Sequence, residues 1–214
     1  MSSSASYGPT SGVEGFCAYA MPAASTTGAA VGEASAKYAA TVDKFDIDDA
    51  EVEQLTQKLT EPLRHPQGVD PSHVVIAVQE ALFPYDVYIL RTEEKMLAAL
   101  KRIREIKQYD VPRLRALDAH GLRFALEARN MVLSAEVMLT AALYRKESRG
   151  SHLRLDYPEI DNENWLKWIL VELKGDDLAL STKDIPIERY PLRPEHKREL
   201  HASIAAARNL GEEI

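Results

Sequence analysis

The stretch ALDAHGLRFALEARNMVLSAEVMLTAALYRK, Ala116 to Lys146, decides the fold. Leu117, Leu122, Phe124, Leu126, Met131, Val132, Leu133, Val137, Met138, Leu139 and Leu143 put apolar groups around more than half of one long helix. A helix that apolar belongs at the centre of a bundle. Upstream, Ile89, Met96, Leu97, Leu100, Ile103 and Ile106 recur at helical spacing, which predicts a second long helix from Tyr85 to about Gln108, with Pro112 opening the next. Asp70-Pro71 starts a shorter helix, Ser72 to Leu82, with proline at its first position. Asp48 and Glu51 form a capping-box-like start for a helix carrying Val52, Leu55, Leu59 and Leu63, stopped by Pro66.

Beyond Gly150 the helical period disappears. Trp165 to Leu173 and Leu178 to Thr182 flank the turn Lys174-Gly175-Asp176-Asp177 and predict a β-hairpin near 165–182. Pro186, Pro191 and Pro194 keep the following chain extended, and a closing helix is expected over Glu195 to Asn209. The fold class is therefore mainly α: a bundle of long antiparallel helices with a small C-terminal hairpin and extended segments. Residues 1–12 are Ser/Gly-rich and aperiodic and read as a tail or linker. Gly15 to Ala20 has a strand-like pattern, and Ser25-Thr26-Thr27-Gly28 offers N-cap residues for a small-residue helix from Ala29 to Ala40. These assignments give a first segment over 13–45 and a helical domain over 46–214.

A net charge of -7 with basic residues dispersed among acids leaves no stripe for a phosphate backbone, so nucleic acid is not an expected partner. The lone Cys17 permits no internal disulfide and is expected to be a small buried side chain. No run approaches the roughly 18 apolar residues of a membrane helix, so direct membrane insertion is not expected. A cytoplasmic location is. His65, His73, His120, His152, His196 and His201 show no HExxH or other zinc spacing, and no nucleophile elbow occurs, so neither a metal site nor a catalytic residue is assigned. His120 reads as a packing or capping residue at the start of the long helix.

The densest chemistry lies in Tyr144-Arg145-Lys146-Glu147-Ser148-Arg149-Gly150-Ser151-His152-Leu153-Arg154-Leu155-Asp156-Tyr157-Pro158, followed by Asp161-Asn162-Glu163-Asn164-Trp165. Three arginines, a histidine and two acids in a non-helical stretch can make charge-assisted hydrogen bonds in place of a backbone ladder. Either they pin the loop to the bundle or some of them face another domain or protein chain. Glu127 and Glu136 lie on the apolar helix and need cationic partners. Arg149 is expected on Glu136, with Arg129 the other candidate cation.

This pattern, with Glu127-Ala128-Arg129-Asn130-Met131 and Ala135-Glu136 before it, resembles the C-terminal region of the fumarate reductase/succinate dehydrogenase flavoprotein family, in particular its adenylylsulfate reductase-like branch. The resemblance runs from Gly15 to Pro194. It implies FAD as cofactor and a helix N-terminus at Ser25, Thr26, Thr27 and Gly28 pointing at the isoalloxazine, where a helix dipole would stabilise reduced-flavin charge. A tight packing face of small residues is the other reading of that segment. It also implies a network of Glu136, Arg145, Glu147, Arg149, His152, Arg154 and Asp156 at a structural or subunit interface. The family's Ala-Gly-Glu or Ala-Gly-Asp strand end is replaced by Tyr19, Ala20 and Met21, and no Gly-x-Gly-x-x-Gly follows a strand within these residues. The family's capping domain and His-Gly-x-Asn-Arg stretch are missing as well. The expectation is therefore one subunit of a split FAD-dependent oxidoreductase, binding no FAD alone. It would complete the flavin pocket and interface of a flavin-binding partner subunit. The resemblance implies an iron-sulfur subunit too. The alternative is a non-catalytic structural or assembly protein derived from such a domain.

Overall fold

The computed structural model describes residues 17–42 and 47–189. The expected tail, the start of the 13–45 segment and the helix over Glu195 to Asn209 lie outside those residues. The chain divides at Glu61/Pro62 into two compact units. The division follows the second helix.

In the first unit, α1 runs Cys17–Ala39 and α2 runs Asp49–Thr60. The strand expected over Gly15 to Ala20 is corrected where it can be seen, since Cys17 to Ala20 are helical. The segment is rich in alanine, the strongest helix former, and propensity overrides a short apolar run. Ser25 to Gly28 are likewise interior to α1 instead of capping a later helix. Asp48 caps α2, accepting from the Ala50 amide at 2.9 Å. Val52, Leu55 and Leu59 form the anticipated stripe and are all exposed; α2 buries no residue.

In the second unit three helices make the core: α3 (Pro71–Leu82), α5 (Glu93–Glu105) and α6 (Ala119–Tyr144). Asp70 caps α3 by accepting from the Ser72 amide and hydroxyl. Those bonds, with Arg115, lower its carboxyl to about pKa 2. Val74, Val78 and Leu82 of α3 meet Met96, Leu100 and Ile103 of α5 and Ala125, Ala128, Val132, Ala135 and Leu139 of α6. The α6 set repeats at alternating spacings of three and four, the seam of knobs-into-holes packing, and its alanines let the helices approach closely. Leu126 and Met138 lie beside this seam and are half-buried, Met138 packed against the core.

The long helix expected from Tyr85 to Gln108 is broken. One turn, α4 (Tyr85–Tyr88), precedes a two-residue strand β1 (Leu90–Arg91), and only then does α5 begin. Thr92 is extended at φ -128°, ψ 156° and caps α5 through its hydroxyl. β1 pairs in parallel with β2 (Leu153–Arg154), Leu90 with Leu153 and Arg91 with Arg154. A π-helical turn, Ile106–Asp110, ends α5, and a 3-10 turn, Val111–Arg113, follows. Pro112 thus opens no long helix; α6 starts later, capped by Asp118 on the Gly121 amide at 2.7 Å. His120 is exposed and is not the cap. Val69 and Leu114 bridge the loops before α3 and α6. At Gly68 the chains pass so closely that a Cβ would sit 2.2 Å from the Arg113 carbonyl oxygen.

A short α7 (Asn162–Trp165) leads to the hairpin β3 (Lys167–Lys174) and β4 (Asp177–Asp184), antiparallel with Lys174 opposite Asp177. Gly175, at φ 63°, makes the tight turn. Lys107 Nζ donates to the Asp176 carbonyl at 2.8 Å and ties that turn to the end of α5.

Candidate functional site, a buried arginine-carboxylate clasp

The C-terminus of α6 leaves carbonyls without helical partners, and the loop that follows supplies the donors. Arg154, fully buried at 0 % exposure, directs Nη1 to the carbonyls of Ala142, Leu143 and Arg145 at 3.1, 3.4 and 3.3 Å. Its other edge meets Asp156 in a fork, Nε to Oδ1 and Nη2 to Oδ2, both at 2.6 Å. Asp156 also accepts from the Glu93 amide at 3.0 Å, so one carboxylate joins the start of α5 to the end of α6 through Arg154. Burial would raise the Asp156 carboxyl; the Arg154 fork and the Glu93 amide outweigh it and hold it below the usual range.

Glu147 is the second hub and is also fully buried. It accepts from Arg145, from Arg149 Nε at 2.8 Å and Nη2 at 3.0 Å, and from the Asp161 amide at 2.9 Å. Arg145 reaches on to the carbonyls of Trp165 and Lys167 at 2.9 and 2.7 Å and lies 5.6 Å from the Trp165 ring centroid. Arg149 continues to Asn162 Oδ1 at 2.8 Å. Glu147 therefore binds α6, the loop and the approach to the hairpin into one unit. Ser148 closes the loop from within, accepting from the Arg154 amide at 2.8 Å and donating to the Tyr157 carbonyl at 2.9 Å.

His152 occupies the third position. Its Nδ1 lies 3.0 Å from Arg91 Nη1 and its Nε2 lies 3.3 Å from the Arg145 carbonyl. A guanidinium can only donate, so Nδ1 is the acceptor and Nε2 carries the proton. Burial, then the charges of Arg91, Arg154 and Arg145, lower the imidazole to a pKa of about 3. Burial likewise lowers the Arg91 guanidinium from its ordinary value.

Glu136 stands apart from this clasp, which corrects the expected pairing with Arg149. It is buried on α6, with Arg104 Nε at 3.2 Å and Lys107 Nζ at 2.8 Å. Arg149 is drawn instead to the carboxylate two residues before it. Glu127 is exposed and pairs with Arg123, one helical turn away, so Arg129 is not its partner. Spacing along the chain singles out none of Arg91, Arg104 and Lys107, yet all three hold a member of the network. The Thr92-Glu93-Glu94 start signal is the one cue in the sequence for the break that frees Arg91 from a helix.

Ser25, Thr26, Thr27 and Gly28 do not meet the requirement for flavin contact through a helix N-terminus. Inside α1 their amides belong to the helix's own ladder, leaving no bare N–H groups there. Among the described residues no cluster of His, Cys, Asp or Glu is suited to a metal ion, and no helix is long and apolar enough to cross a membrane.

Comparison with known proteins gives these features a lineage. The family described as fumarate reductase flavoprotein C-term matches residues 80–199. The fumarate reductase flavoprotein subunit of Mycobacterium tuberculosis is 29% identical over 178 residues, 77% of this chain and 30% of that protein. The fold matches a chain of E. coli quinol fumarate reductase at a TM-score of 0.67 and 27% identity, over 75% of this chain and 29% of the other. It matches adenylylsulfate reductase from Archaeoglobus fulgidus at a TM-score of 0.60 and 25% identity, over 66% and 25%. This chain spans about a quarter of the length of the curated relatives first matched, 26% and 22%. With the arginine-carboxylate clasp and helices α5 and α6 inside the matched residues, the chain belongs to the fumarate reductase flavoprotein C-terminal family.

Proposed function

We propose that this chain acts as the C-terminal helical domain of an FAD-dependent oxidoreductase of the fumarate reductase/succinate dehydrogenase type, with the flavin-binding and capping regions on a partner chain. The observation that supports the domain reading is the structural match itself: three quarters of this chain follows the fold of part of the E. coli chain at a TM-score of 0.67. No dinucleotide-binding glycine motif follows a strand within these 214 residues. In that assembly the flavin is held by the partner, and this chain contributes the interface. Ser25 to Gly28 would approach the flavin only by giving up the first turns of α1. An iron-sulfur subunit is the further partner that such an assembly would hold.

The helical state of Ser25 to Gly28 favours a second reading, a non-catalytic assembly protein that retains the family fold for protein contacts alone. Flavin content separates the two. The tagged chain, purified alone from a heterologous host, should show no flavin absorbance. Purified gently from its native cells, it should bring a partner and near-stoichiometric FAD, measured after heat release. Partner recovery without FAD overturns the oxidoreductase reading in favour of assembly. A yellow chain on its own overturns the division between two chains.

A further inference from the structure

His152 joins three elements at one point. It accepts from Arg91 on β1, donates to the Arg145 carbonyl at the end of α6, and sits two residues from Arg154 on β2. It is 7 % exposed and Arg91 is 4 % exposed, so water cannot screen the site. Among the described residues, the charged groups facing it are all cationic: Arg91, Arg145 and Arg154. The nearby acids are engaged elsewhere, Glu147 by Arg145 and Arg149 and Asp156 by Arg154 and the Glu93 amide. On α4, Tyr88 interacts electrostatically with Arg91. A second proton on this ring would put an N–H against the Arg91 Nη1 donor at 3.0 Å, a donor that the ring's lone pair now receives and that otherwise reaches only the Ser151 carbonyl, at 3.5 Å.

We propose that His152 makes the contact between β1 and the Ser148–Tyr157 loop an acid-labile joint, which opens when the imidazole is protonated while the three-helix core stays folded. The closed joint admits only the neutral ring. A group whose proton affinity is depressed in the closed state contributes stability that is complete above its ordinary pKa and is lost as pH falls. With an ordinary value of 6.5 and a closed-state value of about 3, the window runs downward from about pH 6.5. One proton taken up on opening changes the opening constant about tenfold per pH unit once well below 6.5, and about fifty-fold between pH 6.5 and 4.5.

Amide hydrogen exchange on the full chain, corrected for intrinsic rate, tests this. The Leu155 amide reports on the joint because it donates to the Arg91 carbonyl at 2.9 Å. Its protection should fall about fifty-fold between pH 6.5 and 4.5, with Val132 and Leu139 in α6 changing less than threefold. His152→Asn keeps an acceptor for Arg91 but cannot titrate, so its Leu155 protection should change less than threefold across the same interval. Parallel loss in both proteins overturns the proposal by assigning the sensitivity to carboxylates. Should the variant fail to fold, the NMR titration of the His152 ring in the native chain decides. A midpoint near 6.5 with Leu155 still protected overturns the joint, and a midpoint moved below about 5 upholds it.

Discussion

Glu147→Gln tests whether the clasp is structural core or surface decoration. The carboxylate has no exposed surface and takes hydrogen bonds from Arg145, from Nε and Nη2 of Arg149 and from the Asp161 amide. Glutamine keeps the shape but removes the charge and turns one acceptor into a donor facing a guanidinium. Arg145, whose side chain is 12% exposed, is then left buried without its carboxylate. Breaking one partner of a buried pair costs about 3–5 kcal/mol, against about 0–1 kcal/mol for an exposed pair. A domain of this size has ~5–15 kcal/mol in total, so the variant should lie close to the limit of folding. With an m-value of ~2 kcal/mol/M, the urea midpoint should drop by about 2 M. Tryptophan emission reads it well, because Trp165 packs edge-on against Tyr144 and beneath Arg145. A change under ~1 kcal/mol would refute the view that this carboxylate organises the loop.

Leu139→Ala should cost about 2–5 kcal/mol by opening a cavity in the α6 seam, and half-buried Leu126→Ala should cost clearly less; equal losses in thermal melts would show that the seam is misassigned. A double-mutant cycle of Arg149→Ala with Glu136→Gln should be additive within about 0.5 kcal/mol, because the two groups share no partner; stronger coupling would restore the pairing read from the sequence. Asp70, lowered from 3.8 to about 2, contributes stability that is present above its unfolded pKa and lost as pH falls through the folded one. Asp70→Asn should therefore flatten the urea midpoint between pH 4.5 and 2.5 relative to the parent, and unchanged acid sensitivity would contradict that cap.

The sequence by itself determined the helical class, the central place of the 116–146 segment, the hairpin and the family pattern from Arg145 to Trp165. These follow from local periodicity, from Asp-Pro and Gly-Asp turn chemistry, and from residue types at fixed spacing. It also marked Arg145, Glu147, Arg149, His152, Arg154 and Asp156 as one chemical group. What it did not contain was who holds whom. Whether Arg149 reaches Glu136 or Glu147 depends on where α6 stops and how the chain reverses at Gly150, whose φ is 58°. Glu136 was instead claimed by Arg104 and Lys107, groups 32 and 29 residues away, because α5 packs beside α6 and a π-turn swings Lys107 inward. The break at Leu90 and Arg91 comes with a partner strand 63 residues later, where the two residues pair with Leu153 and Arg154 of β2. At Cys17 to Gly28 the outcome ran the other way, with alanine-rich propensity setting a helix where a short apolar pattern and Ser/Thr residues had led to the expectation of a strand and a cap. Electrostatic partners and strand pairs are contacts between distant residues, and only the packed tertiary structure brings those residues together.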